Sequence, residues 1–142
     1  MNSDPNCIFC KIVSKAIPAS VVYEDEQTLA FMDLGQVNPG HVLVAAKAHA
    51  EDLYGLKDAQ AEAVFRAAAR VARAIRAAFS PEGLSVYQAN GKPAGQTVFH
   101  FHIHLVPRHD GDGMALAWPV KNPPRDALEK HAARIRDELA RR

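Results

Sequence analysis

Apolar and polar positions recur with two different periods along this chain, and the changes of period divide it into elements. Alternating patterns predict β-strands over residues 21–24 and 28–33, joined by the polar turn Asp25-Glu26-Gln27. After the turn Asn38-Pro39-Gly40, the run His41-Val42-Leu43-Val44-Ala45 reads as a third strand. From Asp58 to Phe79 the period becomes helical. Val64, Ala68, Val71, Ile75 and Phe79 fall on one side, with Glu62, Arg66, Arg70 and Arg73 opposite as a solvated face. Asp58 is the expected N-cap, Ser80-Pro81 the stop, and abundant alanine favours the helix. A fourth strand is expected over residues 84–89. A last helix, charged on its outer side, is expected over 125–139. Cys7 to Val13 is a short apolar piece ended by Pro18.

The stretch Thr97-Val98-Phe99-His100-Phe101-His102-Ile103-His104-Leu105-Val106-Pro107 alternates imidazole with apolar side chains. As a strand it puts His100, His102 and His104 on one face, ~6.5–7 Å apart, and sends Phe101, Ile103 and Leu105 into a core. The loop before it, residues 90–96, contains Gly91 and Gly95, which let backbone N–H groups turn toward a ligand. The order of elements implies an α+β fold. About five strands form an antiparallel sheet packed against one long helix, with a further helix at the C-terminus.

Composition narrows the setting. With 142 residues, 48% of them hydrophobic, the chain suits a single domain over 1–142. Seventeen basic against sixteen acidic residues leave a formal charge of +1, and no basic, aromatic-rich run suggests a nucleic-acid groove. No apolar stretch approaches the ~20 residues of a membrane span, and residues 1–5 lack the features of a signal peptide. A cytoplasmic protein is expected. In a reducing compartment, Cys7 and Cys10, spaced C-x-x-C, read as half a metal site or a redox pair.

Three imidazoles on one face admit two chemistries. They can bind a catalytic metal, which needs about three protein ligands and an open position. Alternatively, one imidazole attacks phosphorus and becomes a phospho- or nucleotidyl-histidine while its neighbours hold the phosphate oxygens. No Glu or Asp lies close in sequence to serve a metal as general base. The glycine loop favours the nucleophile, because phosphoryl transfer chiefly needs charge stabilisation and positioning.

The segment His100-Phe-His102-Ile-His104-Leu-Val resembles the signature of the histidine-triad (HIT) family of nucleotide hydrolases and transferases. Cys-Ile-Phe-Cys-Lys-Ile from Cys7, Ala30-Phe31-Met32-Asp33, Pro39-Gly40-His41-Val42-Leu43-Val44, Lys47-Ala48-His49 and Gly95-Gln96-Thr97-Val98 follow the family's order and spacing. The match runs from about residue 7 to 108 and leaves 109–142 as a C-terminal extension. The resemblance implies that His102 is the nucleophile and His104 a phosphate contact. It implies that Gly95, Gln96, Thr97 and Val98 supply amides to the phosphate, with the Thr97 hydroxyl near the leaving group. Asp33 would accept hydrogen bonds from ribose, and Phe9, Ile17, Phe31 and Leu34 would enclose the base, positions that ordinary core packing explains equally well. Where several relatives carry an Asn or Gln, this chain has Ala89, flanked by Gln88 and Asn90. Asn90 would enter the site only if the loop bends back, since a one-residue displacement on a strand reverses the face.

By the same resemblance, Cys7, Cys10, His49 and His100 would bind zinc as a closed, structural Cys2His2 set; otherwise the cysteines pack as small hydrophobes and His49 bonds His100. The implied activity is hydrolysis of nucleoside phosphoramidates or related conjugates, with purine preference, through a nucleotidyl-histidine. Dinucleoside polyphosphates are the alternative substrates, and a nucleotide-binding interaction module with little turnover is the alternative of another class. A twofold homodimer is the expected assembly.

Overall fold

The computed structural model describes residues 1–115 and 117–142. Helix α1 (Ile8–Val13) precedes strands β1 (Val21–Glu24), β2 (Thr28–Met32) and β3 (Val42–Ala46). The long helix α2 (Asp58–Phe79), strands β4 (Gly83–Tyr87) and β5 (His102–Arg108) and helix α3 (Arg125–Ala140) follow. The strands form one antiparallel sheet in the order β1-β2-β3-β5-β4. The α+β architecture is the one expected, with the C-terminal helix in place.

Each face of the sheet has its own core. On one, the α2 stripe of Ala63, Val64, Ala67, Ala68, Val71 and Ile75 meets Val42, Val44, Phe101, Ile103 and Leu105. On the other, Phe9 and Ile12 of α1 cover Leu29, Phe31, Leu43 and Ala45. Strand β3 is therefore covered on both sides, and all five of its residues are buried, so its sequence reads apolar throughout. Strand β5 alternates. Ile103 and Leu105 enter the α2 core, while His102 and His104 emerge on the α1 side.

Several boundaries move. The histidine stretch is a strand only from His102 onward. The Phe101 N–H donates to Ala50 C=O at 2.7 Å instead of joining the ladder, and residues 98–100 form bends. His100 therefore stands outside the row shared by His102 and His104, and three equivalent imidazoles on one strand do not exist here. Strand β4 stops at Tyr87 rather than Ala89. The N-cap of α2 is Lys57, whose N–H donates to Gln60 Oε1 at 2.9 Å, while Asp58 sits in the first turn, where a carboxylate suits the helix dipole.

Where the chain leaves β5, Arg108 grips Asp112 through Nε (2.8 Å) and Nη2 (3.0 Å), and its Nη2 also donates to Met114 C=O. The guanidinium holds the Asp112 carboxyl well below the usual carboxylate range, so the latch stays charged. Helix α3 has no buried residue. No helix among the described residues is long and apolar enough to cross a membrane.

Candidate active site

His102 is the first residue of β5, and its orientation is fixed locally. Its Nδ1–H donates to the His100 carbonyl at 2.7 Å, which leaves Nε2 as the unprotonated nitrogen. Burial pushes its pKa below the ordinary histidine value, against the opposing pull of the His100 carbonyl and the Asp33 carboxylate. A neutral imidazole with one bare nitrogen is a nucleophile at neutral pH.

Two residues on, His104 has the opposite tautomer, and a chain of donors sets it. The Val37 N–H donates to His41 Nδ1 at 3.2 Å, so His41 carries its proton on Nε2. That Nε2 lies 2.9 Å from His104 Nδ1 and 3.3 Å from Asp33 Oδ2. His104 Nδ1 therefore accepts, and its proton is on Nε2 as a donor. Asp33, His41 and His104 have the composition of a metal-binding set. A metal-bound His41 Nε2 would need a proton on Nδ1, where the Val37 N–H already points. The trio is a hydrogen-bond relay instead.

Burial, and then the neighbouring His102 and His41 rings, push the His104 pKa down to about 4, against the pull of Asp33. This has a consequence for stability. The folded-state value lies below the ordinary 6.5, so as pH falls through 6.5 the unfolded chain takes up the proton first. The contribution is complete above 6.5 and is lost between there and 4. The ring is 25% exposed, which reduces the cost to about 1–2 kcal/mol between pH 7 and pH 5. Urea unfolding at these two pH values should show a smaller loss for His104→Asn than for the parent. An equal loss would contradict the assignment.

Beside these histidines is a cavity of ≈ 230 Å³. The structure places Phe9, Phe31, Asp33, Leu34, Thr97, Val98, His102 and His104 on its wall. Phe9 stands edge-on to Phe31 (centroids 5.3 Å apart) and to His102 (5.0 Å). Asp33 is held by the Gly35 N–H, which donates to Oδ1 at 2.8 Å. Ile17 packs against the α1 core and does not line the cavity.

Gly95, Gln96 and Asn90 also lie off the wall, and two of them brace the loop. Gln96 is buried; its Nε2 donates to Glu51 and Val98 C=O, and its Oε1 accepts the Gly91 N–H at 2.7 Å. Gly95 has φ +94°, and a Cβ there would meet Tyr87 Oη at 3.0 Å. Among the described residues, no backbone acceptor meets the N–H of Thr97 or Val98. The Asn90 carboxamide is taken up by Gln88 and by the Leu53 N–H (2.7 Å). The residue that sequence reasoning missed is His41. It is the first residue after a Pro-Gly turn, but only the pairing of Leu43 with His104 shows that it reaches the site.

Cys7, Cys10, His49 and His100 converge on a second point, with donor atoms within 4.8 Å of one another. Cys7 Sγ lies 3.3 Å from His100 Nδ1, Cys10 Sγ 3.4 Å from His49 Nδ1, and the two Nδ1 atoms are 3.2 Å apart. A tetrahedral zinc with ~2.0–2.3 Å bonds needs donors ~3.3–3.8 Å apart, so the set fits. The His100 Nε2–H donates to Ala46 C=O at 2.6 Å, which turns the Nδ1 lone pair toward the thiols. The residues can hold zinc as a closed, structural site.

Comparison with known proteins identifies the class. The HIT domain profile matches residues 14–111, and the chain belongs to that family. Protein hit of Bacillus subtilis is 49% identical over 119 residues, 83% of this chain and 82% of the relative. The adenosine 5'-monophosphoramidase of Candida albicans is 31% identical over 99% of this chain and 96% of its own. A HIT family protein of Bacillus anthracis superposes with a TM-score of 0.91 at 42% identity, covering 96% and 99% of the two chains. A zinc-bound histidine triad family protein of Mycobacterium smegmatis superposes with a TM-score of 0.73 at 35% identity, covering 95% and 97%.

Proposed function

We propose that this protein hydrolyses nucleoside phosphoramidates or closely related nucleotide conjugates, with purine preference, through a nucleotidyl-His102 intermediate. The observation that carries the reading is the bare Nε2 of His102, aimed by the 2.7 Å bond from its Nδ1–H to the His100 carbonyl, beside a cavity that also holds Asp33. Nε2 attacks the α-phosphorus as the bond to the leaving amine breaks and the amine takes up a proton from solvent. The charge gained by the ring is stabilised by the His100 carbonyl and by Asp33. His104 Nε2–H and the free amides of Thr97 and Val98 bind phosphoryl oxygens. Water then attacks the nucleotidyl-histidine, breaking the P–N bond, releasing the nucleotide and a proton to solvent and restoring neutral His102. The relative named adenosine 5'-monophosphoramidase supports the substrate class, and the apolar side chains of Phe9, Phe31 and Leu34 on the cavity wall support a purine.

Asp33 accepts from the ribose diol in this reading. Charge-assisted hydrogen bonds contribute ~1.5–3 kcal/mol, so Asp33→Asn should raise KM by about tenfold or more. It should also shrink the preference for a ribo- over a 3'-deoxyribo-conjugate, as read by kcat/KM on the pair. An unchanged preference would remove Asp33 from the ribose site. We further infer a cytoplasmic twofold homodimer. Strand β4 is an outer strand of the sheet with Leu84, Val86 and Tyr87 exposed, and Phe65 of α2 is 54% exposed. Light scattering should return twice the 15.5 kDa chain mass; a monomer at assay concentration would contradict it. Zinc at the Cys2His2 set is structural here, with no part in bond breaking.

A further inference from the structure

We propose that the Cys7–Cys10–His49–His100 centre sets the affinity for nucleotide, because it holds in place both a wall of the cavity and the carbonyl that orients the nucleophile. The proposal rests on the nucleotide reading above. Three observations carry it.

First, α1 has only six residues, too few to hold a helix alone, and both cysteines sit at its N-terminal end. Cys7 is the N-cap, and its Sγ accepts the Cys10 N–H at 3.4 Å. Secondly, the side chains that α1 carries between and beyond the cysteines are cavity wall: Ile8, Phe9 and Ile12. Phe9 lies between the two cysteines in sequence and touches the reacting histidine in space, with ring centroids 5.0 Å apart. Thirdly, His100 belongs to both sites. Its ring faces the thiols through Nδ1, and its carbonyl accepts the His102 Nδ1–H. The ring is fully buried and its Nδ1 faces the thiols, so the coupling passes through position and not through contact of a metal with substrate.

Emptying the centre leaves the Nδ1 atoms of His49 and His100 facing each other at 3.2 Å, with α1 held to the sheet only by the packing of Phe9 and Ile12 and by weak thiol hydrogen bonds. Helix α1 then loosens, the wall carrying Phe9 opens, and the His100 peptide is freer to turn from His102. Helix α2, on the opposite face of the sheet, is unaffected.

The test compares AMP binding by calorimetry and amide exchange of the full chain in three states: zinc-loaded, stripped by chelator under reducing conditions, and reloaded. The expected result is an AMP Kd about tenfold weaker in the stripped protein, a matching loss of protection in α1 but not α2, and recovery with one equivalent of zinc. AMP binding and α1 protection indifferent to zinc would overturn the coupling alone. Failure of the loaded protein to bind AMP would overturn the nucleotide reading and the affinity claim with it. If the stripped chain unfolds, a His49→Gln variant retaining three donors is titrated with zinc. AMP affinity and α1 protection must rise together with occupancy, and occupancy that rises without them overturns the proposal.

Discussion

Replacing His102 with asparagine should lower kcat for release of AMP from an AMP–amine conjugate by about 10⁴-fold, in a protein that still folds and still binds AMP. Asparagine is chosen because its carboxamide can keep the donor to the His100 carbonyl that His102 makes at 2.7 Å. It also fills most of the space beside Phe9. What it lacks is a nucleophilic nitrogen. Some acceleration over water should persist, because the phosphoryl contacts proposed for His104 and the Thr97 and Val98 amides are retained. The thermal midpoint should move by only a few degrees. A variant that keeps a tenth or more of the parental kcat would show that the chemistry runs through another group.

Loss of a metal ligand should give the opposite profile. His100→Ala and Cys10→Ser remove donors from a buried set, and each should abolish tight zinc binding. We expect a loss of about 3–5 kcal/mol of stability, or ~10–15 °C in Tm, visible by calorimetry alongside metal analysis. The penalty is large because the set joins α1, the loop after β3 and the bend leading into β5, segments far apart in sequence. Chelation of the parent should reproduce the shift, and zinc should reverse it. Variants that stay zinc-free yet melt with the parent would make the centre incidental to the fold. The two histidines are thus expected to differ in kind: His102 in chemistry, His100 in cohesion.

Much of this architecture was legible because strong periodicity survives tertiary context. Helix α2 and strands β1 to β3 follow the pattern of apolar positions within a residue or two. The histidine stretch was legible as a strand but not in extent. The break at Phe101 depends on a carbonyl 51 residues earlier, that of Ala50, which no local pattern encodes. The role of His41 was hidden for a similar reason: its approach to His104 exists only through the pairing of β3 with β5. Asn90 shows the converse. Its place in the loop makes it a candidate from sequence, but the structure ties its carboxamide to Gln88 and Leu53. Gln96, expected at the phosphate, keeps its side chain inside the loop it closes, and the cavity wall begins with Thr97 and Val98 beyond it.

The central claim is a covalent nucleotidyl-His102, and trapping it is the direct test. The protein is mixed with an AMP–amine conjugate, quenched within milliseconds, digested and mapped by mass spectrometry under conditions that preserve phosphoramidate bonds. The account predicts one adenylylated peptide, modified at His102, that appears before AMP accumulates and is absent from His102→Asn. Adenylylation at a different residue, or turnover with no adduct at any time point, would contradict it.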